Sequence, residues 1–342
     1  MIWTTWRQHR AEAAVAAVIF GALIAAMIVV GSIARDRART LGLPSCTPTA
    51  GDCGAALGRL HDDFHTIPPF VGALIIVPLV AGMFWAAPLV SREYEAGTQR
   101  LAWTQSVSPL RWITTKIALI FAVVAATALV LGLLATWTLD PLTAAFGGRY
   151  NSTWYDTQGV VPVACMLFAL AVGVAASALL RRTIPAMAVT LLVYASARIP
   201  IHWIRWRFAS LDSRTLTIPL SSLLSSVTGS PYDLANAAVP AQASLHGITI
   251  TGPSGQSIGN QDNFSLLQQY CPNVQANPTR DGVLDPAACA SRIQDVSLHA
   301  TVRYQPASHF WIIQTIESAI FVGLTALLVT AAILAVNRRR AT

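Results

Sequence analysis

The sequence predicts an all-α polytopic membrane protein. Six transmembrane helices follow an N-terminal amphipathic helix, and a small extracytoplasmic domain with some β structure sits between spans five and six. Three observations predict this class. Of 342 residues, 54% are hydrophobic and only 11% charged, a balance that excludes an ordinary soluble domain. Apolar runs recur that exceed the roughly 20 residues a helix needs to cross a bilayer. Two of them, Thr66–Ser91 and Ile117–Leu139, contain no ionised residue at all. One stretch, residues 205–308, loses that apolar character and is long enough to form a domain of its own.

Residues 1–12 are amphipathic, with Trp3 and Trp6 one helical turn apart and Arg7 and Arg10 on another face. Tryptophan suits the headgroup level and arginine suits anionic lipid. The run Ala13–Ala34 is longer than a signal-peptide core and reads as the first span. The loop Asp36–His65 carries Cys46 and Cys53, a candidate disulfide in a short Pro/Gly-rich segment. It also holds His61, Asp62, Asp63 and His65. On a helix the two histidines share a face, but no third clustered ligand joins them, so the reading is a solvated helix start and not a metal site.

The second span covers about Ile67–Val90 and contains Pro68, Pro69, Pro78 and Pro88, which predict kinks. Ser108-Pro109 is a helix start signal for the third span, about Leu110–Leu139. Trp154 and Tyr155 end the next loop as interfacial aromatics. The fourth span, about Thr157–Leu180, stops at Arg181-Arg182. Its stripe Ala169, Gly173 and Ser177 allows close helix packing, either within the subunit or across a dimer. The fifth span is about Thr183–Ile204. Within residues 205–308, Gly247–Gly252 and Val296–Tyr304 alternate as strands do, and Cys271 and Cys289 bracket a polar loop. Residues 309–342 form the sixth span and a basic tail.

Arginine counting sets the orientation. With both termini cytoplasmic, the inner loops and ends receive eleven basic residues, among them Arg92, Arg100, Arg181, Arg182 and Arg338–Arg340. The short outer loops hold five: Arg35, Arg37, Arg39, Arg59 and Arg149. Both candidate cysteine pairs, Cys46–Cys53 and Cys271–Cys289, then fall in the oxidising compartment, with pairing between the two loops the open alternative. The formal net charge of +7 fits loops that meet anionic lipid and needs no nucleic acid as partner. The near-exclusive use of arginine over lysine (Lys116 alone) points to a GC-rich, actinobacterial-like genome. No G-x-x-x-x-G-K-[ST] phosphate loop is present.

Between spans two and three lies Ser91–Pro109, a charged segment whose start, residues 91–98, reads as a brief polar helix that Gly97 can end in the left-handed conformation. Here Glu93, Glu95, Gly97 and Thr98 resemble the E-x-E-x-G-T signature of type-2 ABC exporter permeases, which have the type V ABC exporter fold. Residues 1–12 resemble the elbow helix of that family. The resemblance implies that residues 91–98 are a coupling helix docking in a cleft of a separate ATPase. Arg92, Glu93, Tyr94, Glu95, Gly97 and Thr98 would be the coupling residues. It further implies two ATPase copies, a second permease subunit as a homodimer partner, and no cofactor in this chain, ATP and Mg belonging to the ATPase. The expected function is outward movement of an amphipathic or hydrophobic substrate across the bacterial plasma membrane.

Two other readings remain from the residues. One is a sensor or assembly factor whose outer domain binds a ligand. The other is a membrane-embedded enzyme with an outer-face site at residues 61–65. Finally, Arg198 and Glu317 are the two ionisable residues well inside predicted spans. Charges at membrane depth face the bundle interior and pair. Counting from the span ends puts both at matching depth, which predicts an Arg198–Glu317 pair.

Overall fold

The structure is a computed structural model that describes residues 2–43, 52–97, 109–151, 154–225, 230–237, 239–240, 242–259, 262–277 and 283–338. The chain divides into two compact units, Met1–Phe208 with Trp311–Thr342, and Ala209–Phe310. Among the described residues six helices are long and apolar enough to cross a membrane: Ala17–Thr40, Pro69–Glu95, Ile113–Leu142, Val161–Leu180, Thr183–Arg207 and Ala307–Asn337.

Helix α1 is a single rod, Ile2–Thr40. The expected division into an elbow helix and a first span is absent. The junction reads Ala-Glu-Ala-Ala-Val-Ala-Ala, all helix-compatible and without a proline or glycine to break it. Helix α2 spans Asp52–Phe64. Two of the arginines that oppose the charge bias lie on α1 and have partners elsewhere in the chain. Arg37 meets Asp63 at 2.6 Å, and Arg35 donates to the Trp137 carbonyl while lying 3.7 Å over the Trp137 ring.

The second span is helical throughout but irregular. It runs as α3 (Ile67–Ala73), a 3₁₀ turn Leu74–Ile76, α4 (Val77–Ala81), a π-helical turn Gly82–Ala86 and α5 (Ala87–Glu95). Proline explains both irregularities. Pro78 cannot donate to the Leu74 carbonyl, and Pro88 cannot donate to that of Phe84. Each irregular turn contains the carbonyl so freed. Residues 91–95 are the last turn of this span, not a separate helix. Gly97, with φ 68°, ends it, and Thr98 lies outside the described residues.

Helix α6 (Pro109–Leu139) follows, then α7 (Val161–Leu180) and α8 (Thr183–Ile204) as a tight hairpin. Helix α7 is the hub, since 78% of its most apolar window is buried against 11–33% for the other spans. Its small-residue stripe packs within the subunit. A Cβ on Gly173 would come 2.5 Å from the Gly82 carbonyl oxygen, and one on Gly82 would come 2.6 Å from that of Ala169.

The second unit is a four-stranded antiparallel sheet with helices. Strand β1 (Asp212–Pro219) is followed by α9 (Pro231–Ala237), β2 (Ser244–Thr251) and β3 (Ser257–Ile258). Then come α10 (Asn263–Tyr270), α11 (Pro286–Ile293) and β4 (Ser297–Gln305), in the sheet order β1-β4-β2-β3. The alternation in β4 sends Leu298, Ala300 and Val302 into a core shared with Ile218, Ile250 and Leu266. Asp262 and Asp285 cap α10 and α11. Cys271 and Cys289 are joined by a disulfide, with Cα atoms 5.7 Å apart. Cys53 is also disulfide-bonded, while Cys46 lies outside the described residues. The final helix, α12, is Phe310–Arg338.

The Cys271–Cys289 bridge closes a separation of 18 residues. Removing it with paired serines is expected to cost about 3 kcal/mol through the entropy of the unfolded chain. Thermal unfolding of the full chain, with peptide mapping under non-reducing conditions, measures both the loss and the pairing.

Candidate functional site

Helix α8 carries Arg198, His202 and Arg205 at its C-terminal end and just beyond it, at the i, i+4, i+7 spacing of one helical face. That face is buried against Asp156, which sits in a short turn (Tyr155–Thr157) ahead of α7, and against Glu317 of α12. Arg198 Nη1 donates to Glu317 Oε1 at 2.8 Å, and its Nη2 pairs with Asp156 Oδ1. Arg205 Nη1 donates to the same Asp156 oxygen, and His202 Nδ1 lies 3.3 Å from Oδ2. Arg205 and Glu317 are wholly buried, and Arg198 and Asp156 are nearly so. Two arginines and two carboxylates therefore balance, as burial in a low-dielectric interior demands. The Arg205 guanidinium lies against the rings of Tyr155 (4.2 Å) and Trp206 (4.6 Å). Burial alone would push the Asp156 carboxyl up. The His202 hydrogen bond and the Arg198 and Arg205 charges win, holding it at about 2.

Asp156 and Arg198 line a cavity of about 960 Å³ and supply its charged groups. The rest of its wall is mostly apolar and comes from spans one to five, including Phe20, Leu74, Trp85, Leu131 and Met166. The irregular turn of the second span contributes Leu74 and Ile75, so non-α backbone is found where it lines a cavity. A pocket of this size, mostly apolar with a few convergent polar groups, has the form of a small-molecule site.

Gln314 of α12 supports the turn that presents Asp156. Its Oε1 accepts from the Val160 and Val161 amides, both at 3.1 Å, and its Nε2 donates to the Tyr155 carbonyl at 3.2 Å. Gly159 beside it has φ 66°, and a Cβ there would meet Gln314 Oε1 at 2.7 Å, so the position needs glycine on both counts.

The charged segment after the second span makes its own contacts. Glu95 Oε1 accepts from the Thr183 amide at 2.8 Å and Oε2 from the Thr183 hydroxyl at 2.9 Å, capping α8. Ser91 Oγ lies 2.9 Å from the same hydroxyl, and the Arg181 guanidinium is 5.0 Å from the Tyr94 ring. Arg92 is exposed, and Glu93 and Tyr94 are half-buried.

A family model described as ABC-2 membrane transporter related matches residues 16–205, more than half of the chain. This protein belongs to the ABC-2 membrane transporter related family. The match takes in spans one to five, the cavity wall and the charged segment, and it stops short of the second unit. No curated protein and no solved structure matches the chain. Membership and the six apolar helices identify a multi-pass membrane protein of the transporter permease type.

Of the residues singled out in the sequence, the structure brings together Arg198 and Glu317, and Cys271 and Cys289. It sets Glu95, which stays exposed, onto Thr183. Residues 61–65 do not converge. His61 packs its ring, tilted, against Phe146, His65 contacts the Asp62 carbonyl, and Asp63 pairs with Arg37. No group of three metal-ligating side chains exists among the described residues. Sequence reasoning missed Asp156, His202 and Arg205. The i, i+4, i+7 spacing on α8 was the available signal for the last two. Asp156 offered none, because a lone acid in a loop looks solvated.

Proposed function

We propose that this chain is the membrane-spanning subunit of an ABC exporter, moving an amphipathic or hydrophobic compound with ATP hydrolysed by a separate ATPase chain. The observation that carries the reading is the cavity. It is walled by five spans and apolar over most of its surface, and Asp156 and Arg198 of the buried, charge-balanced cluster line it. A compound with an apolar body and one polar end fits such a wall, its polar end beside Arg198 and Asp156. The E-x-E-x-G-T segment, with Glu93 and Tyr94, is the proposed contact with the ATPase. Two permease copies and two ATPase copies make up the proposed assembly, with both termini cytoplasmic and the second unit outside.

The first test is purification of the chain with candidate ABC ATPase subunits from the same genome. Permease-dependent, substrate-stimulated hydrolysis supports the reading, and candidates none of which travels with the chain or responds to it end it. Within that complex, Glu93→Arg is expected to weaken the ATPase contact. Desolvated charge pairs at interfaces are worth several kcal/mol, so a loss of about 2–5 kcal/mol in binding is the scale. Titration of ATPase onto permease in detergent measures it. Unchanged affinity would remove Glu93 from the interface.

A further inference from the structure

Within the charged segment, Glu95 reaches across to the next hairpin, at Thr183. We propose that Glu95 is a positioning residue that staples the start of α8 to the end of the second span, so that movement of residues 91–97 is carried along α8 to Arg198. The inference rests on the permease reading and adds a route within this chain by which the ATPase-facing loop reaches the buried cluster.

Four observations carry it. The Glu95 carboxylate grips Thr183 by two bonds, to the amide at 2.8 Å and to the hydroxyl at 2.9 Å. Ser91, fully buried one turn earlier, lies 2.9 Å from that hydroxyl. Beneath them Ala87, Ala176 and Ala186 pack together, bringing the ends of α5, α7 and α8 into contact through small side chains. Arg181 adopts φ 56°, a left-handed conformation uncommon for a residue with a side chain, and its guanidinium lies over Tyr94 of the same segment. An unfavourable backbone conformation held against the charged segment is a sign that this junction is over-determined.

The other end of the route is the charge cluster. Between Thr183 and Arg198 the one proline is Pro185, in the first turn, where no intrahelical bond is lost, and Pro200 frees the Ser196 carbonyl only in the last turn before Arg198. That stretch is continuous helix, about 22 Å long at 1.5 Å per residue. Arg198 at its far end holds Asp156 and Glu317, and Asp156 and Arg198 both line the cavity. A shift of the staple must displace these pairs or be resisted by them, because packed interiors shift between discrete arrangements and do not deform smoothly.

The test uses the permease–ATPase complex. Glu95→Ala and Thr183→Val are each expected to lower the ratio of substrate-stimulated to unstimulated hydrolysis about tenfold, within the usual coupling range. Co-purified ATPase per permease is read in parallel. Glu95→Gln, which keeps the hydroxyl contact, should lose less and serves as the variant if Glu95→Ala folds poorly. Ser91→Cys with Thr183→Cys places two sulfurs within reach of a disulfide. Oxidised in the Glu95→Ala background, that pair should restore the ratio to the wild-type level, which a role in stability alone does not require. An unchanged ratio in Glu95→Ala overturns the proposal, as does failure of the cross-link to restore it. So does a cross-link that stops transport in the otherwise wild-type chain, since the staple would then have to open. A wild-type chain that never couples to its ATPase fails the permease reading instead, and is told apart by its wild-type baseline.

Discussion

Asp156→Ala is expected to destabilise the membrane unit by about 3–5 kcal/mol, the range for stranding a buried charge. The reason is arithmetic of charge. Asp156 is shared by Arg198 and Arg205, so its loss leaves Glu317 as the one carboxylate facing two buried arginines. Arg205 is wholly buried. The cluster resolves into two neutral pairs, Arg198–Glu317 and Arg205–Asp156, bridged by the Arg198–Asp156 contact. Removing a whole pair should therefore cost less than removing one member. Arg198→Leu with Glu317→Leu, and Asp156→Ala with Arg205→Leu, are each expected to recover part of the single-variant loss. Thermal unfolding in detergent of the singles and doubles gives the coupling energies, and additive losses would show that the groups act independently.

The second large effect is expected at Gly173. Even alanine there places a Cβ 2.5 Å from the Gly82 carbonyl oxygen and 2.7 Å from the Ala86 Cβ. The obstacle is backbone, which cannot rotate aside as a flexible side chain would. Overpacking of a close-packed core costs typically about 1–3 kcal/mol, and Gly173→Ala should reach the upper end. Gly173→Leu should prevent the hub helix from seating against the second span. Gly323→Ala is the matched control, because a Cβ there has nothing within 4 Å. The two variants compared by midpoint of thermal unfolding separate close approach from helix propensity. Equal midpoints would mean that α7 and the second span have room to separate.

The spans themselves were legible because hydropathy and helix length are local properties: a run either covers the bilayer or it does not. The family signature, the proline irregularities and the left-handed Gly97 were legible for the same reason, each being a matter of a few consecutive residues. Strands β2 and β4 announced themselves by alternation. So in retrospect does β1, where Leu216 and Ile218 alternate with Thr215, Thr217 and the exposed Pro219. The Arg198–Glu317 pair was within reach, since two costly charges at equal depth have few ways to be satisfied.

What the tertiary structure alone decided is where one residue has several chemically sensible partners. Glu95 in sequence is an acid in an exposed loop, equally suited to a partner's arginine or to a helix N-terminus. Only the return of α8 to the same corner puts the Thr183 amide 2.8 Å away. Asp156 reads as a loop acid until the turn before α7 is folded into the bundle, where two arginines from one helical face close on it. The stripe Ala169–Gly173–Ser177 permits close packing but names no partner, and the π turn at Gly82–Ala86 supplied one within the chain. Local sequence sets which groups must be buried and satisfied. Their partners lie tens to more than a hundred residues away, so the three-dimensional path of the chain selects among them.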